Sequence, residues 1–122
     1  MTKILIADPD AAFRKALILL LNRKLGVECV AEAANIGTLI QILVDQPPDL
    51  LLLSWSLYGA PGLETCQLLK KSYPTMKVVL LSVNPDDAEP ANAASAGFLL
   101  KGAPIEETLA SLKTLVSSHS PG

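Results

Sequence analysis

The sequence of 122 residues has few of the residues that build disulfide frameworks, metal centres and nucleophilic active sites. It contains two cysteines, Cys29 and Cys66, and one histidine, His119. The cysteines lie far apart, in neither a metal-binding nor a redox spacing, so we interpret both as small buried hydrophobic residues in a reducing compartment. A serine hydrolase would need a Gly-x-Ser-x-Gly turn and a well-placed histidine, and the sequence lacks both. A serine hydrolase is therefore not expected, and we predict that the protein is not an enzyme.

Strong charge and long apolar runs are also missing. Charged residues make up 18% of the sequence and the net charge is −2, with a pI near 5.3, so bulk charge does not attract nucleic acid and we expect no direct nucleic-acid contact. The longest apolar runs, such as residues 16–21, are far shorter than the roughly 18 residues of a membrane-spanning helix. We expect no membrane contact. Because no signal peptide is recognisable, the expected compartment is the cytoplasm.

What the sequence does have is a high apolar content in short, regularly spaced blocks. Half of its residues are hydrophobic and its mean hydropathy is +0.39, which favours a sheet covered on both faces. The pattern predicts strands at 3–7, 27–33, 50–53, 77–82 and 97–101, and helices at 11–25, 35–45, 62–73, 86–96 and 105–116. Strict alternation predicts one α/β domain over 3–116, with 117–122 as a tail or the start of a linker. We expect a doubly wound five-stranded parallel sheet in three α/β/α layers, with the flavodoxin-like strand order 2-1-3-4-5.

Polar residues follow the predicted strands where each strand ends. They are Asp8-Pro9-Asp10, Ser54-Trp55-Ser56, Ser82 and Lys101. In a doubly wound sheet the carboxyl ends of the strands border one crevice, where ligands bind. The sequence therefore predicts that carboxylate, hydroxyl and ammonium groups meet there.

Four segments in this order resemble the receiver domain of two-component response regulators. They are "ILIADPD", "PDLLLLSWSLYGAPG", "VVLLS" and "AGFLLKGAP", and the resemblance runs from residue 3 to about 115. The end "AGFLLKGAPIEETLASL" is most similar to receivers that precede a helix-turn-helix output domain. The resemblance implies a role in signal transduction or transcription regulation through a protein partner, which could be a second copy. It also implies a C-terminal DNA-binding domain in the full-length protein.

The resemblance assigns roles to single residues. Asp8 matches the first acidic residue, Ser82 the phosphate-binding hydroxyl, Lys101 the lysine that pairs with phosphate, and Phe98 the aromatic switch position; Gly59 and Gly62 match the loop glycines. Three positions depart from the family pattern. Ser54 stands where the phosphoacceptor aspartate is expected, Pro9 replaces a carboxylate that binds Mg²⁺, and Tyr58 stands where proline is usual.

These departures predict a degenerate phosphorylation site. Phosphotransfer needs an ionised carboxylate held against Mg²⁺, and a serine hydroxyl without an adjacent base is a poor nucleophile. We expect no cofactor and no metal site, with Asp8 and Asp10 as weak candidates for binding Mg²⁺. The leading hypothesis is therefore a receiver-like module that signals through contacts independent of phosphorylation. The alternatives are a working phosphorelay receiver with an unusual acceptor, and an unrelated flavodoxin-like ligand-binding domain.

Several site residues also have simpler structural interpretations. Asp10 fits a helix N-cap better than a ligand, Lys101 could serve only to neutralise Asp8, and Ser82 could satisfy a backbone group at its strand end. Trp55 could fold over the crevice or anchor a partner. Phe98 could belong to the core. Phe98, Trp55 and Tyr58 are the candidates for a switch or an interface.

Overall fold

The computed structural model describes residues 2–27, 29–57 and 59–118. Within them, the strands are β1 (Ile4–Ala7), β2 (Cys29–Ala33), β3 (Leu50–Ser54), β4 (Ser56–Leu57), β5 (Ala60–Pro61), β6 (Lys77–Ser82) and β7 (Gly97–Leu100). The α-helices are α1 (Ala11–Leu25), α2 (Ile36–Asp45), α3 (Gly62–Ser72), α4 (Ala88–Ala94) and α5 (Ile105–Ser118), and a 3₁₀ turn, Pro85–Asp87, precedes α4.

Five of these strands form one parallel sheet in the order β2-β1-β3-β6-β7. This is the predicted flavodoxin-like order, and the predicted fold class is confirmed. The register brings the strand ends together, because Ala7 pairs with Leu53 and Ser82 pairs with Leu100. Asp8 and Lys101 follow directly after these pairs. The residues that follow β1, β3, β6 and β7 therefore share one edge, which we call the carboxyl edge.

The sheet is covered on both faces, which explains why whole strands are apolar. Along β1 and β3, alternate side chains such as Leu5 and Leu53 join one buried cluster with residues of α2, α3 and α4. The intervening side chains, such as Ile6 and Leu52, join a second cluster with α1 and α5. All four residues of β1 and all five of β3 are buried, so polar residues are disfavoured in both strands except at their carboxyl ends.

Local sequence signals set the helix ends. The Asp10 carboxylate accepts hydrogen bonds from the Ala12 and Phe13 backbone N–H groups at 2.9 and 3.2 Å, so the N-cap interpretation of Asp10 matches the structure. Gly26 ends α1 with φ 64°, a left-handed conformation that glycine adopts without strain. Asn35 caps α2 by accepting from the Thr38 N–H at 2.9 Å.

Three features differ from the sequence-based expectations. The chain between β3 and α3 forms a short antiparallel ladder, in which β4 pairs with β5. The predicted helix 86–96 is instead a 3₁₀ turn followed by the seven-residue α4. Helix α4 ends at Ala94 because the Ser95 backbone is extended, with φ −137° and ψ −176°. The single proton of the Ser95 hydroxyl lies within reach of the carbonyls of Ala91 and Gly97. Helix α5 continues to Ser118, two residues into the predicted tail.

Several sequence predictions concern parts of the chain that lie outside the described residues. They are those on Tyr58, His119 and the rest of the tail, and the predicted burial of the Cys29 side chain. In the described ranges, every helix is too short or too polar to cross a bilayer.

Candidate functional site

An ion pair between the ends of β1 and β7 is the central feature of the carboxyl edge. Lys101 Nζ lies 2.8 Å from Asp8 Oδ2, and the Asp8 side chain is completely buried, while 16% of the Lys101 side chain is exposed. The same ammonium lies 4.5 Å from the centre of the Phe13 ring. A buried carboxylate requires a charged or hydrogen-bonding partner. Lys101 therefore neutralises Asp8, as one interpretation of the sequence expected.

The remaining polar groups of Asp8 are also engaged. Its Oδ1 accepts a hydrogen bond from the Asp10 backbone N–H at 2.8 Å. Its backbone carbonyl accepts from Arg14 Nη1 at 2.6 Å, and Arg14 Nε in turn bonds Glu32 at 2.9 Å. Sequence reasoning missed Arg14 and Glu32. Their signal was weak, since Arg14 lies one helical turn after Asp10 and Glu32 lies in the neighbouring strand β2.

The residues at this edge do not fit the Mg²⁺ that the receiver resemblance implies. Mg²⁺ takes several oxygen ligands in octahedral order. Both carboxylate oxygens of Asp8 already accept hydrogen bonds, the Asp10 carboxylate caps α1, and Pro9 has no side-chain oxygen. Among the residues that the structure describes, no three His, Cys, Asp or Glu side chains cluster closely enough to hold a metal ion.

Ser54 ends β3 in a tightly packed position. It is only 2% exposed, and its hydroxyl oxygen accepts the Ser56 backbone N–H at 3.3 Å. The first residue of α3, Gly62, donates its N–H to the Trp55 carbonyl at 2.9 Å. A Cβ atom on Gly62 would lie 2.7 Å from the Trp55 Cα and closer still to the Ser54 carbonyl oxygen. The glycine therefore permits this close approach of α3 to the Ser54 loop.

The two aromatic candidates occupy intermediate positions. The Trp55 side chain is partly buried and packs against the cluster formed with α2, α3 and α4. Its backbone N–H donates to the Leu81 carbonyl at 2.7 Å. Phe98 packs partly against the same cluster and lines a groove beside α5 with Glu107 and Ser111. Both side chains thus combine core packing with some exposed surface.

Ser82 ends β6, and its hydroxyl both donates and accepts a hydrogen bond. The hydroxyl donates to Asp87 Oδ2 at 2.6 Å and accepts the Asn84 backbone N–H at 3.1 Å. The structure therefore binds the Ser82 hydroxyl to a neighbouring loop and not to the pair of Asp8 and Lys101. Sequence reasoning missed Asp87. The signal for it was Asn84-Pro85, a helix-start pattern that places an acidic residue within reach of the strand end.

Comparison with protein-family models identifies this arrangement. Residues 4–113 match the response regulator receiver domain. The chain belongs to this family. The alternative of an unrelated flavodoxin-like ligand-binding domain is therefore wrong, and the receiver resemblance is confirmed.

Individual relatives extend the comparison. The chain is 31% identical over 122 residues to the oxygen regulatory protein NreC of Staphylococcus haemolyticus, covering 97% of this chain and 56% of NreC. NreC of Staphylococcus aureus matches with the same identity and coverage. The receiver chain thus spans about half the length of the curated relatives it matches.

Solved structures agree on the fold. A LuxR-family two-component response regulator from Aurantimonas superposes with a TM-score of 0.84 at 20% identity, covering 97% of this chain and 86% of that one. RcsB from Salmonella enterica, bound to a promoter in the presence of a phosphomimetic, gives 0.85 at 19% identity, with coverages of 96% and 61%. The signal receiver domain of NarL from Mycobacterium tuberculosis gives 0.79 at 23%, with coverages of 95% and 96%.

Proposed function

We propose that this receiver domain is a signalling module without enzymatic activity that acts through protein contacts independent of phosphorylation. The observation that carries the proposal is the state of Asp8, whose two carboxylate oxygens are taken by Lys101 and by the Asp10 N–H. Both oxygens of this carboxylate already accept a hydrogen bond, and its charge is already compensated by the Lys101 ammonium, so a metal ion would have to compete with both contacts. Pro9 supplies no side-chain oxygen, Asp10 uses its Oδ1 to cap α1, and the Ser82 hydroxyl is bound to Asp87, so we interpret the edge as a degenerate phosphorylation site.

The chemistry of Ser54 supports the same conclusion. A hydroxyl attacks a phosphoryl group effectively only when a neighbouring base takes its proton. Asp8 lies at the end of the adjacent strand, but its charge is compensated by Lys101, and the Ser54 oxygen accepts the Ser56 N–H. The buried Ser54 hydroxyl therefore has no uncompensated base beside it to take its proton and make it a nucleophile.

Mass spectrometry after incubation with acetyl phosphate and Mg²⁺ tests this proposal. We expect the mass of the intact domain to remain unchanged. A receiver that has kept its acceptor aspartate, treated in parallel, serves as the positive control. A stoichiometric phosphate adduct on this chain would contradict the proposal.

The competing function is a phosphorelay receiver with an unusual acceptor. Ser54 is the specific candidate, since it occupies the position of the acceptor at the end of β3. Peptide mapping of any adduct distinguishes the two functions. An adduct that Ser54→Ala abolishes would establish the phosphorelay alternative.

We further propose that the domain works in the cytoplasm as the receiver part of a longer transcription regulator with a C-terminal DNA-binding domain. The support is that the matched NreC proteins are nearly twice as long as this receiver and that RcsB was solved on a promoter. The reading frame beyond codon 122 tests this directly. A downstream helix-turn-helix sequence is the expected result, and an unrelated downstream domain would contradict it.

We propose a second copy of this chain as one protein partner. An apolar groove of about 230 Å³ runs between α1 and α5, lined by side chains that include Phe13, Leu20 and Ile105. Ile105 is 62% exposed. The two helices carry charges of opposite sign, because the charged residues of α1 are all basic (Arg14, Lys15, Arg23 and Lys24), whereas α5 begins with Glu106 and Glu107. Two copies can therefore set α1 of one against the start of α5 of the other.

A further inference from the structure

The contact between Ser82 and Asp87 has a role that the receiver assignment does not supply. We propose that Asp87 is a built-in anionic partner of the Ser82 hydroxyl, which fixes the 3₁₀ turn before α4 in one conformation and closes this hydroxyl to external anions. The proposal goes beyond the proposed function, because it concerns how one segment is held and does not depend on whether phosphate is ever transferred.

The Ser82 hydroxyl has only one proton to donate. Here that proton goes to Asp87 Oδ2 over 2.6 Å. This distance lies in the range of charge-assisted bonds to a carboxylate, which are about twice as strong as neutral ones. Ser82 itself is only 6% exposed. An external anion could take the proton only by displacing a carboxylate that is already in place.

Asp87 occupies a defined position in the turn that starts α4. Asn84 acts as the N-cap, because its side chain accepts the Asp86 N–H at 3.0 Å, and Pro85 follows at the first position of the turn. Asp87 is then the third residue, where an acidic side chain normally reaches back to the N-cap N–H. Here the reach is made through a relay, since the Asn84 N–H donates to Ser82 Oγ and the Ser82 hydroxyl donates to Asp87.

These hydrogen bonds constrain the segment from 83 to 88. The relay joins the end of β6 to the 3₁₀ turn, which also holds the Asp87 N–H against the Asn84 carbonyl at 3.1 Å. Val83 is 73% exposed and lies between the two anchors. The contact therefore presents one fixed surface in the absence of any ligand, and losing it frees the turn.

We call the hydrogen bond between Ser82 and Asp87 the latch. Hydrogen exchange of the backbone amides at 84, 86, 87 and 88 tests whether it holds the turn. The variants are Asp87→Ala, Ser82→Ala and their double, with Asp86→Ala as the matched control, since Asp86 is an exposed acidic residue of the same turn. We expect both single latch variants to raise the exchange rates roughly tenfold, the size given by losing a hydrogen bond to a charged group. We expect the double variant to exchange no faster than the faster single variant. Equal rates in Asp87→Ala and Asp86→Ala, or additive effects in the double variant, would overturn the latch.

Inorganic phosphate tests the exclusion of anions. In a titration followed by amide chemical shifts, wild type and Asp86→Ala should show no response at residues 84 and 101. Asp87→Ala should respond there, and the double variant with Ser82→Ala should not. A response of wild type equal to that of Asp87→Ala, or no response in Asp87→Ala, would overturn the assignment of Asp87 as the excluding group. Because phosphate itself is not a phosphoryl donor, either result leaves the proposed function to its own test.

Discussion

The two halves of the carboxyl edge satisfy their polar groups in different ways. One half, which we call the long-range half, consists of the groups that follow β1 and β7 on either side of the two central strands; here Asp8 pairs with Lys101, 93 residues away along the chain. The other half, which we call the loop half, follows the central strands β3 and β6; here the hydroxyls of Ser54 and Ser82 bond partners two and five residues away. Among the described residues, no buried side-chain nitrogen or oxygen lacks a hydrogen-bond partner. The polar groups of both halves therefore have hydrogen-bond partners. In one half the partner comes from across the sheet, and in the other it comes from the adjoining loop.

Because the two halves differ in this way, substitutions in them should affect different parts of the domain. The long-range pair exists only when β1 and β7 are both in the sheet, so disrupting it should reduce the stability of the whole domain. The local bonds can form or break while the sheet stays intact, so disrupting them should change mainly the loops. Substitutions in each half can test this distinction.

The largest effect is expected for Lys101→Met. The change leaves the Asp8 carboxylate buried without its cation, and breaking a buried pair in this way costs about 3–5 kcal/mol. The control is Lys113→Met, an exposed lysine on α5, with an expected change within about 0.5 kcal/mol. Urea unfolding measures both. We expect Asp8→Asn to cost less, because the partly exposed Lys101 can turn toward water. Similar losses for Lys101→Met and Lys113→Met would show that the long-range half contributes little.

Gly62→Ala is the next test, and it addresses the loop half. The added Cβ would meet the backbone of Ser54 and Trp55, which cannot move aside as a flexible side chain could. Overpacking of this kind costs about 1–3 kcal/mol. The control is Gly37→Ala in the first turn of α2, where the nearest atom would be Asn35 Oδ1 at 3.4 Å. We expect Gly37→Ala to be neutral or stabilising by about 0.5–1 kcal/mol. Equal unfolding free energies for the two variants would contradict the close approach of α3.

The two halves also differ in how far the sequence revealed them. The pairing of Asp8 with Lys101 could be predicted because strict alternation of strands and helices with right-handed crossovers favours the flavodoxin-like order, in which the carboxyl ends of the strands border one crevice. The bond from Ser82 to Asp87 could not, since it depends on side-chain rotamers in a turn that the sequence suggested was an ordinary helix. The β4 and β5 ladder was missed for a similar reason. Two-residue strands have no periodicity to detect.

Restoring two carboxylates at the edge tests whether it is a receiver site that lacks two parts. Pro9→Asp supplies a metal ligand without an acceptor, and Ser54→Asp supplies an acceptor without that ligand. Because both side chains would act on one ion, we expect Mg²⁺ binding to be non-additive, with a coupling of roughly 0.5–3 kcal/mol, and to appear mainly in the double variant. Trp55 fluorescence, beside position 54, follows the titration. Phosphorylation should follow in the same variant only. Wild type that binds Mg²⁺ as well as the double variant would show that Asp8 and Asp10 already suffice.

Association through the groove between α1 and α5 should depend on Ile105. Ile105→Glu places a charge on an apolar side chain that is 62% exposed, and we expect it to weaken the dimer by about 1 kcal/mol or more. The matched control is Leu68→Glu, which is 66% exposed on α3, on the opposite face of the sheet. Sedimentation velocity over a range of concentrations measures both. If Leu68→Glu or a change beside Phe98, such as Ser111→Arg, has the larger effect, the contact lies elsewhere. A wild-type chain that is monomeric at every concentration would contradict the dimer.

The smallest effect is expected at Cys66, behind the loop half. The Cys66 thiol is buried and donates to the Ala94 carbonyl at 3.6 Å, linking α3 to the end of α4. Burial raises the pKa of the Cys66 thiol, and the nearby Lys70 ammonium opposes this shift.

A raised pKa in the folded state means that the thiol's contribution to stability is complete below the ordinary thiol pKa of about 8.5 and is lost as the pH rises through the folded value. The unfolding free energy of wild type should therefore fall more steeply above that pH than that of Cys66→Ala. The small cavity left by the substitution shifts the whole curve by a constant, so the comparison is between slopes. Parallel curves up to strongly alkaline pH would mean that the Cys66 thiol ionises equally easily in the folded and unfolded states, and that the region behind the loop half is open to water.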